Sequence, residues 1–200
     1  MTHIPKALIF LRLAIGVIIL ILGSLRIDHF EVIGVLLFVV GLLTDIFDGI
    51  IARRLGVSTR HLRRLDSTVD QLFFVMVAIA TFIKCRQFFY QNKVQLIILL
   101  STEALTYLIC FLKFKKEIAT HSISSKIWTL ILFATIIQIL TTCKSSALFQ
   151  VCFYTGVITR IEIIGIILVL RVWSNDIPTI YHAFLIRQGK AIRRHQLFNG

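Results

Sequence analysis

Residues 30–53 read Phe-Glu-Val-Ile-Gly-Val-Leu-Leu-Phe-Val-Val-Gly-Leu-Leu-Thr-Asp-Ile-Phe-Asp-Gly-Ile-Ile-Ala-Arg. The run has the length that a bilayer's hydrocarbon core requires of a helix, roughly 20 residues. It is apolar all round rather than along one stripe, so it does not fit the surface of a soluble protein. Asp45 and Asp48 stand in its last third. The stretch predicts a membrane-spanning helix that carries carboxylates near one end.

Five further apolar runs flank it, at 7–25, 67–84, 94–112, 127–143 and 148–173. Across the 200 residues, 57% are hydrophobic and only 16% charged. Soluble domains hold about 45–50% apolar and about 25% charged residues. A soluble globule of this size has no interior large enough for that much apolar surface. Disorder requires low hydrophobicity and is excluded. Four cysteines are too few for a disulfide-stapled secreted domain. The expectation is an all-α integral membrane protein with six transmembrane helices and both termini cytoplasmic. Residues 1–175 would form the membrane domain, and 176–200 a cytoplasmic surface helix and amphipathic basic tail. The first run exceeds the 7–15 residues of a signal-peptide core and should remain as a span.

The formal net charge is +12. In a soluble protein this would point to nucleic acid, but no motif of that class is present and none is expected as a partner. Here the cations fall between apolar runs, where they meet lipid headgroups, phosphate-bearing substrates and topology signals. Alternate loops divide them 14 to 5. The richer side holds Lys6, the arginines from Arg53 to Arg64, Lys113, Lys115, Lys116, Lys126 and the tail, and should be cytoplasmic. Arg12, Arg160 and Arg171 read as lying within spans. Cys85, Cys143 and Cys152 fall near outer span ends and Cys110 within a span; they read as packing residues, with an outer disulfide as the lesser alternative. The six histidines show no i, i+3 or i, i+4 pair, so no zinc site is expected.

Four of only ten acids lie between residues 45 and 70. Asp45 and Asp48 are spaced i, i+3, and Asp66 and Asp70 i, i+4, so each pair shares one helix face. Two such helix ends would turn four carboxylates on one another, which like-charge repulsion forbids without compensation. Hard divalent cations with oxygen ligands, Mg²⁺ or Mn²⁺, supply it. Two ions about 3.5–4 Å apart would clamp a phosphoryl group for in-line displacement. The plainer alternative pairs the acids with Arg53, Arg54, Arg60, Arg63 and Arg64 on a solvated loop.

The complete spacing runs Asp45, Asp48-Gly49, Ala52-Arg53, eight residues, Leu62, three residues, Asp66, three residues, Asp70. It resembles the CDP-alcohol phosphatidyltransferase signature, D-x2-D-G-x2-A-R-x8-G-x3-D-x3-D, at every fixed position but one. Ile4-Pro5 with Arg12, which follows Lys6 after five residues, is similar to the family's N-terminal I-P-N segment and its later arginine. Ser125-Lys126-Ile127-Trp128-Thr129 is similar to its G-K-x-K-T segment. The resemblance implies a six-helix membrane fold, commonly homodimeric. It implies transfer of a phosphatidyl group from a CDP-linked lipid, usually CDP-diacylglycerol, to an alcohol acceptor, with release of CMP. It makes Asp45, Asp48, Asp66 and Asp70 the metal ligands, and Asp70 the catalytic base. Asp48, Gly49, Ala52 and Arg53 become the donor-binding residues. Small residues let the nucleotide approach the backbone, and arginine suits a pyrophosphate.

The departures are specific. Leu62 replaces a family glycine, Ser67 and Gln71 replace the usual proline and lysine, and Lys6 the asparagine of I-P-N. Leu62, among Arg60, His61, Arg63 and Arg64, reads as an apolar side chain carried to the bilayer edge by an interfacial turn. There it would weaken donor binding and leave the chemical step alone. In the fourth span, phosphatidylglycerophosphate synthases often have an Arg-Glu pair and a later arginine. Here Thr102-Glu103 and Cys110 stand instead: Glu103 matches, but both arginines that would suit an anionic phosphate are missing, which counts against glycerol 3-phosphate. Glu103, Lys126 and Arg160 are the candidate acceptor or phosphate contacts, for glycerol 3-phosphate or another polyol or polyol phosphate. Composition alone would also admit a transporter or a catalytically silent scaffold with a residual metal site. The four acids sit at span ends rather than at the midplane where transporters place theirs, and no halves repeat.

Overall fold

The computed structural model describes residues 3–25, 27–54, 60–116, 122–174 and 177–190, with 3, 4, 52–54, 60, 61 and 63 described by backbone alone. These residues form α1 (His3–Ser24), α2 (Phe30–Arg54), α3 (Arg60–Lys84), α4 (Arg86–Gln91), α5 (Lys93–Phe114), α6 (Ile123–Thr142), α7 (Ala147–Val169) and α8 (Ile180–Arg187), with no strand among them. Six helices are long and apolar enough to cross a membrane: α1, α2, α3, α5, α6 and α7. The protein is an all-α integral membrane protein, as its hydropathy predicts.

Three details differ from the sequence reading. The third helix begins at Arg60, two turns before the predicted span, and an unpredicted short helix, α4, follows it. The sixth span ends at Val169, so Arg171 lies beyond it rather than inside. Cys85 and Cys143, expected to be packing residues, form a disulfide between the ends of α3 and α6. Cys110 and Cys152 are free and buried, as packing residues should be.

The chain divides into two compact units, Met1–Tyr90 with Ile136–Lys144, and Gln91–Thr135 with Ser145–Gly200. In the first, α1 packs against both α2 and α3. On α3, Leu62, Leu65, Val69, Phe73, Val77 and Ala80 recur every three or four residues, and all but half-buried Leu65 are buried. Leu62 and Val69 cluster with Ile9 of α1. This stripe explains why α3 extends back through a highly charged stretch: packing overrides the polar local sequence. Leu62 is therefore 6% exposed inside a helix interface. The interfacial turn that would point it into lipid is incorrect. Small residues bring the helices close, as in other membrane interfaces. A Cβ on Gly41 would lie 2.3 Å from Phe73 Cζ, and one on Gly16 would lie 3.0 Å from Phe73 Cδ2. The Phe73 ring fills the room those two glycines leave, and stacks on Phe38 at 5.8 Å.

In the second unit, α5 packs on α7 and α7 on α8. Ile166, Leu170, Ile177 and Ala183 form a buried cluster. Lys113 Nζ donates to the Ile167 and Leu168 carbonyls at 2.9 and 2.8 Å, closing the end of α7. In α8, Tyr181 and Phe184 are exposed opposite buried Ala183, the arrangement of a surface helix. The basic residues beyond 190 lie outside the described residues.

Candidate metal and donor site

α2 and α3 each bring two aspartates to α1. Asp48 is almost fully buried, while Asp45, Asp66 and Asp70 are about one-third exposed. One oxygen from each of Asp45, Asp48 and Asp66 lies within 4.8 Å of the others, a spacing that can hold a metal ion. The charge between them is Arg12 of α1, a residue 1% exposed. Its Nη1 lies 3.0 Å from Asp45 Oδ1 and 3.1 Å from Asp66 Oδ1, and also contacts Asp70. Its Nη2 pairs with Asp48. Asp70 thus joins the group through the same guanidinium nitrogen that two other carboxylates share.

The sequence places these four acids on two helix faces; the fold turns both faces on one cation. The central cation comes from α1; the side chains of Arg53, Arg54, Arg60 and Arg63, to which the solvated-loop alternative looks, lie outside the described residues. Four ionised carboxylates carry more charge than the one guanidinium that all of them contact. That excess, the all-oxygen donor set and the spacing suit a hard divalent cation. Arg12 Nε is buried without a hydrogen-bond partner. In the sequence Arg12 stands as a cation within the first span and as part of a faint N-terminal resemblance. Its role is hidden because 33 positions separate it from Asp45. Gly49 is half-buried on α2. The side chains of Ala52 and Arg53 lie outside the described residues, as does the segment 55–59.

A second polar cluster lies in the other unit. Arg160 Nε pairs with Glu103. The Arg160 guanidinium also lies over the Trp128 ring, 4.3 Å from its centroid. Trp128 is fixed by donating from Nε1 to the Cys152 carbonyl at 3.0 Å. Ser124 donates to Glu162 and bonds Ser122 at 2.9 Å. Two of the three predicted acceptor residues, Glu103 and Arg160, thus meet; Lys126 is exposed on α6, two residues before Trp128. Lys113 is committed to capping α7, and Lys116 lies over Trp173 at 4.7 Å. The Trp128 stack was not foreseen, although its position in place of a family lysine was visible.

Fold, carboxylate frame and spacing define a membrane-embedded transferase of phosphate-linked groups. The chain belongs to the CDP-alcohol phosphatidyltransferase family, whose model matches residues 2–184. No curated protein and no solved structure matches it. It is an integral membrane transferase of phospholipid synthesis, taking a CDP-alcohol and an alcohol acceptor. The family generally depends on divalent metal.

Proposed function

We propose that this protein transfers the phosphatidyl group of CDP-diacylglycerol to an alcohol acceptor and releases CMP. The observation that carries this is the convergence of four carboxylates from α2 and α3 at one buried point, in the spacing of the family signature. Asp45, Asp48 and Asp66, completed by Asp70, would hold two Mg²⁺ or Mn²⁺ ions. When bound, the metal neutralises the acids and polarises the phosphoryl oxygens. Asp70 takes the proton of the acceptor hydroxyl as the hydroxyl oxygen bonds to the phosphatidyl phosphorus. The bond from that phosphorus to the bridging oxygen breaks, and the electrons leave with CMP. Asp48, Gly49, Ala52 and Arg53 hold the donor, Arg53 by a bidentate contact to its pyrophosphate.

The acceptor in this reading is a polyol phosphate such as glycerol 3-phosphate. Arg160 supports it. Glu103 and Trp128 fix the plane of its guanidinium, and the Nη1 and Nη2 donors have no partner among the described residues. A guanidinium restrained in this way loses little freedom on meeting a phosphate.

The carboxylate end of the first unit faces the cytoplasm in this reading. The 14-to-5 bias in basic residues supports it. So does the Cys85–Cys143 bond at the other end of α3, because disulfides persist in oxidising compartments. Residues 1–175 act as the catalytic membrane domain and the remainder as its surface segment. The family resemblance also brings a homodimer, which cross-linking in membranes would detect.

The test incubates purified protein with CDP-diacylglycerol, Mg²⁺ or Mn²⁺ and a panel of alcohols with and without phosphate, and measures CMP release. Metal-dependent release with a phosphorylated polyol is expected, falling at least about 10²-fold in Asp48→Asn, the scale of losing a main electrostatic stabiliser. Undiminished release in excess EDTA would refute the metal assignment. Preference for an uncharged alcohol would refute the acceptor.

A further inference from the structure

At the disulfide end of the first unit, the helix ends enclose a cavity of about 470 Å³. Gly23, Ile27, Phe30 and Ile83 give it an apolar side. Lys84, Arg86 and Gln87 give it a polar side, and Cys85 and Cys143 complete the wall. The volume lies in the range of small-ligand sites. The combination is amphipathic: two cations and an amide border a surface of aliphatic and aromatic carbon.

The two cations differ. Lys84 pairs with Glu31 and lies 5.7 Å from the centre of the Phe30 ring, so it is anchored. Arg86 is exposed and has no counter-ion among the described residues. Glu31 is the acid facing this group from α2, and it neutralises only Lys84. The site therefore keeps one uncompensated, bidentate-capable cation beside an apolar wall. Gly23 sets the depth of that wall: a Cβ there would lie 3.0 Å from Phe30 Cζ and 3.0 Å from Ala80 Cβ. The cavity is also remote from the carboxylates. Along α3, Lys84 follows Asp70 by 14 residues, about 21 Å at 1.5 Å per residue. That distance puts it near the opposite membrane interface, where lipid phosphates lie.

We propose that this cavity is a second lipid site, which takes one anionic phospholipid from the leaflet opposite the carboxylate cluster. The lipid phosphate lies on Arg86, with Lys84 contributing its remaining donors. The root of an acyl chain lies along Ile27, Phe30 and Ile83. The cavity is too small for a whole two-tailed lipid, so the tails continue into the bilayer. A phosphate alone would leave the apolar wall uncovered, and a zwitterionic headgroup would bring a second cation to Arg86. The occupant is therefore an anionic lipid rather than free phosphate. No bond is made or broken at this site; it holds the α1–α2 turn against the end of α3, and bound lipid stabilises the folded protein by mass action.

The experiment uses full-length protein in detergent, titrated with phosphatidylglycerol, phosphatidylcholine or inorganic phosphate. Retained lipid is read by native mass spectrometry and stability by thermal melting. Wild type should hold phosphatidylglycerol more tightly than phosphatidylcholine, with a rise in Tm. Arg86→Ala should weaken that retention at least tenfold, Arg86→Lys should restore part of it, and CMP release should stay within twofold in both. Arg86 is exposed, so neither variant threatens folding. Equal retention of the two lipids, retention unchanged in Arg86→Ala, or the same rise in Tm from inorganic phosphate alone would overturn the proposal. These outcomes do not depend on whether the protein transfers phosphatidyl groups.

Discussion

Arg12 is the residue on which the carboxylate cluster balances. Four acids approach one guanidinium that is buried from solvent. Removing one partner from a buried ionic group typically costs about 3–5 kcal/mol, because the remaining charges stay desolvated. Arg12→Gln should therefore lower Tm in metal-free buffer by more than any single loop-arginine substitution. Saturating Mg²⁺ or Mn²⁺ should restore more stability to the variant than to wild type. Equal metal-induced shifts in the two proteins would show that the guanidinium and the metal do not share these oxygens. At Leu62, contact decides between two readings. The sequence suggests an improved KM for the donor in Leu62→Gly. The side chain instead packs against Ile9 and Val69. Leu62→Ala should cost about 2–5 kcal/mol through the cavity it leaves, and glycine about 1 kcal/mol more within a helix. Thermal melts beside donor KM values separate the two effects.

Among the elements, α1 has the greatest structural responsibility in its unit, because α2 and α3 both pack on it. Their closeness rests on missing side chains. Gly41→Ala would drive a methyl group into the Phe73 ring. Overpacking of this kind costs about 1–3 kcal/mol. The double variant Gly41→Ala with Phe73→Leu should recover part of that loss, and a melt that shows no recovery would place the strain elsewhere. The helices themselves were legible in the sequence, since apolar runs of bilayer length admit few alternatives. Their ends were less so. The stretch Arg60–Arg64 looks like a loop by charge, yet Leu62 and Leu65 continue the apolar stripe of α3. Local composition competes there with a contact to a segment more than 50 residues earlier, which no window along the chain reveals. The same holds for the site: four aspartates announce themselves by spacing, whereas Arg12, Trp128 and the cysteine pair acquire meaning only through distant neighbours.

For the whole molecule, the testable quantity is its orientation in the membrane. Cysteine introduced at Ser58 should react with impermeant maleimide only after cells are opened. Labelling from outside intact cells would reverse the topology and place the carboxylates on the other face. The Cys85–Cys143 bond offers a second reading of the same question. In membranes prepared with thiols blocked, an unreduced sample should run faster on a denaturing gel than Cys143→Ser. Equal mobility would remove the oxidising-side argument and leave the charge bias to stand alone.

That bond also has a consequence in time. Its two cysteines stand 58 positions apart, with the whole of α5 and α6 between them. In the proposed orientation, the partner of Cys85 reaches the far side of the membrane only when α6 has been threaded across. Until then Cys85 waits as a thiol at the end of a completed α3. Closure of the link therefore dates a stage in biosynthesis: it records that α5 and α6 have been inserted, whether or not α7 has followed. A nascent chain arrested before residue 143 leaves the ribosome would carry the complete aspartate cluster on α2 and α3 and still lack its covalent seal.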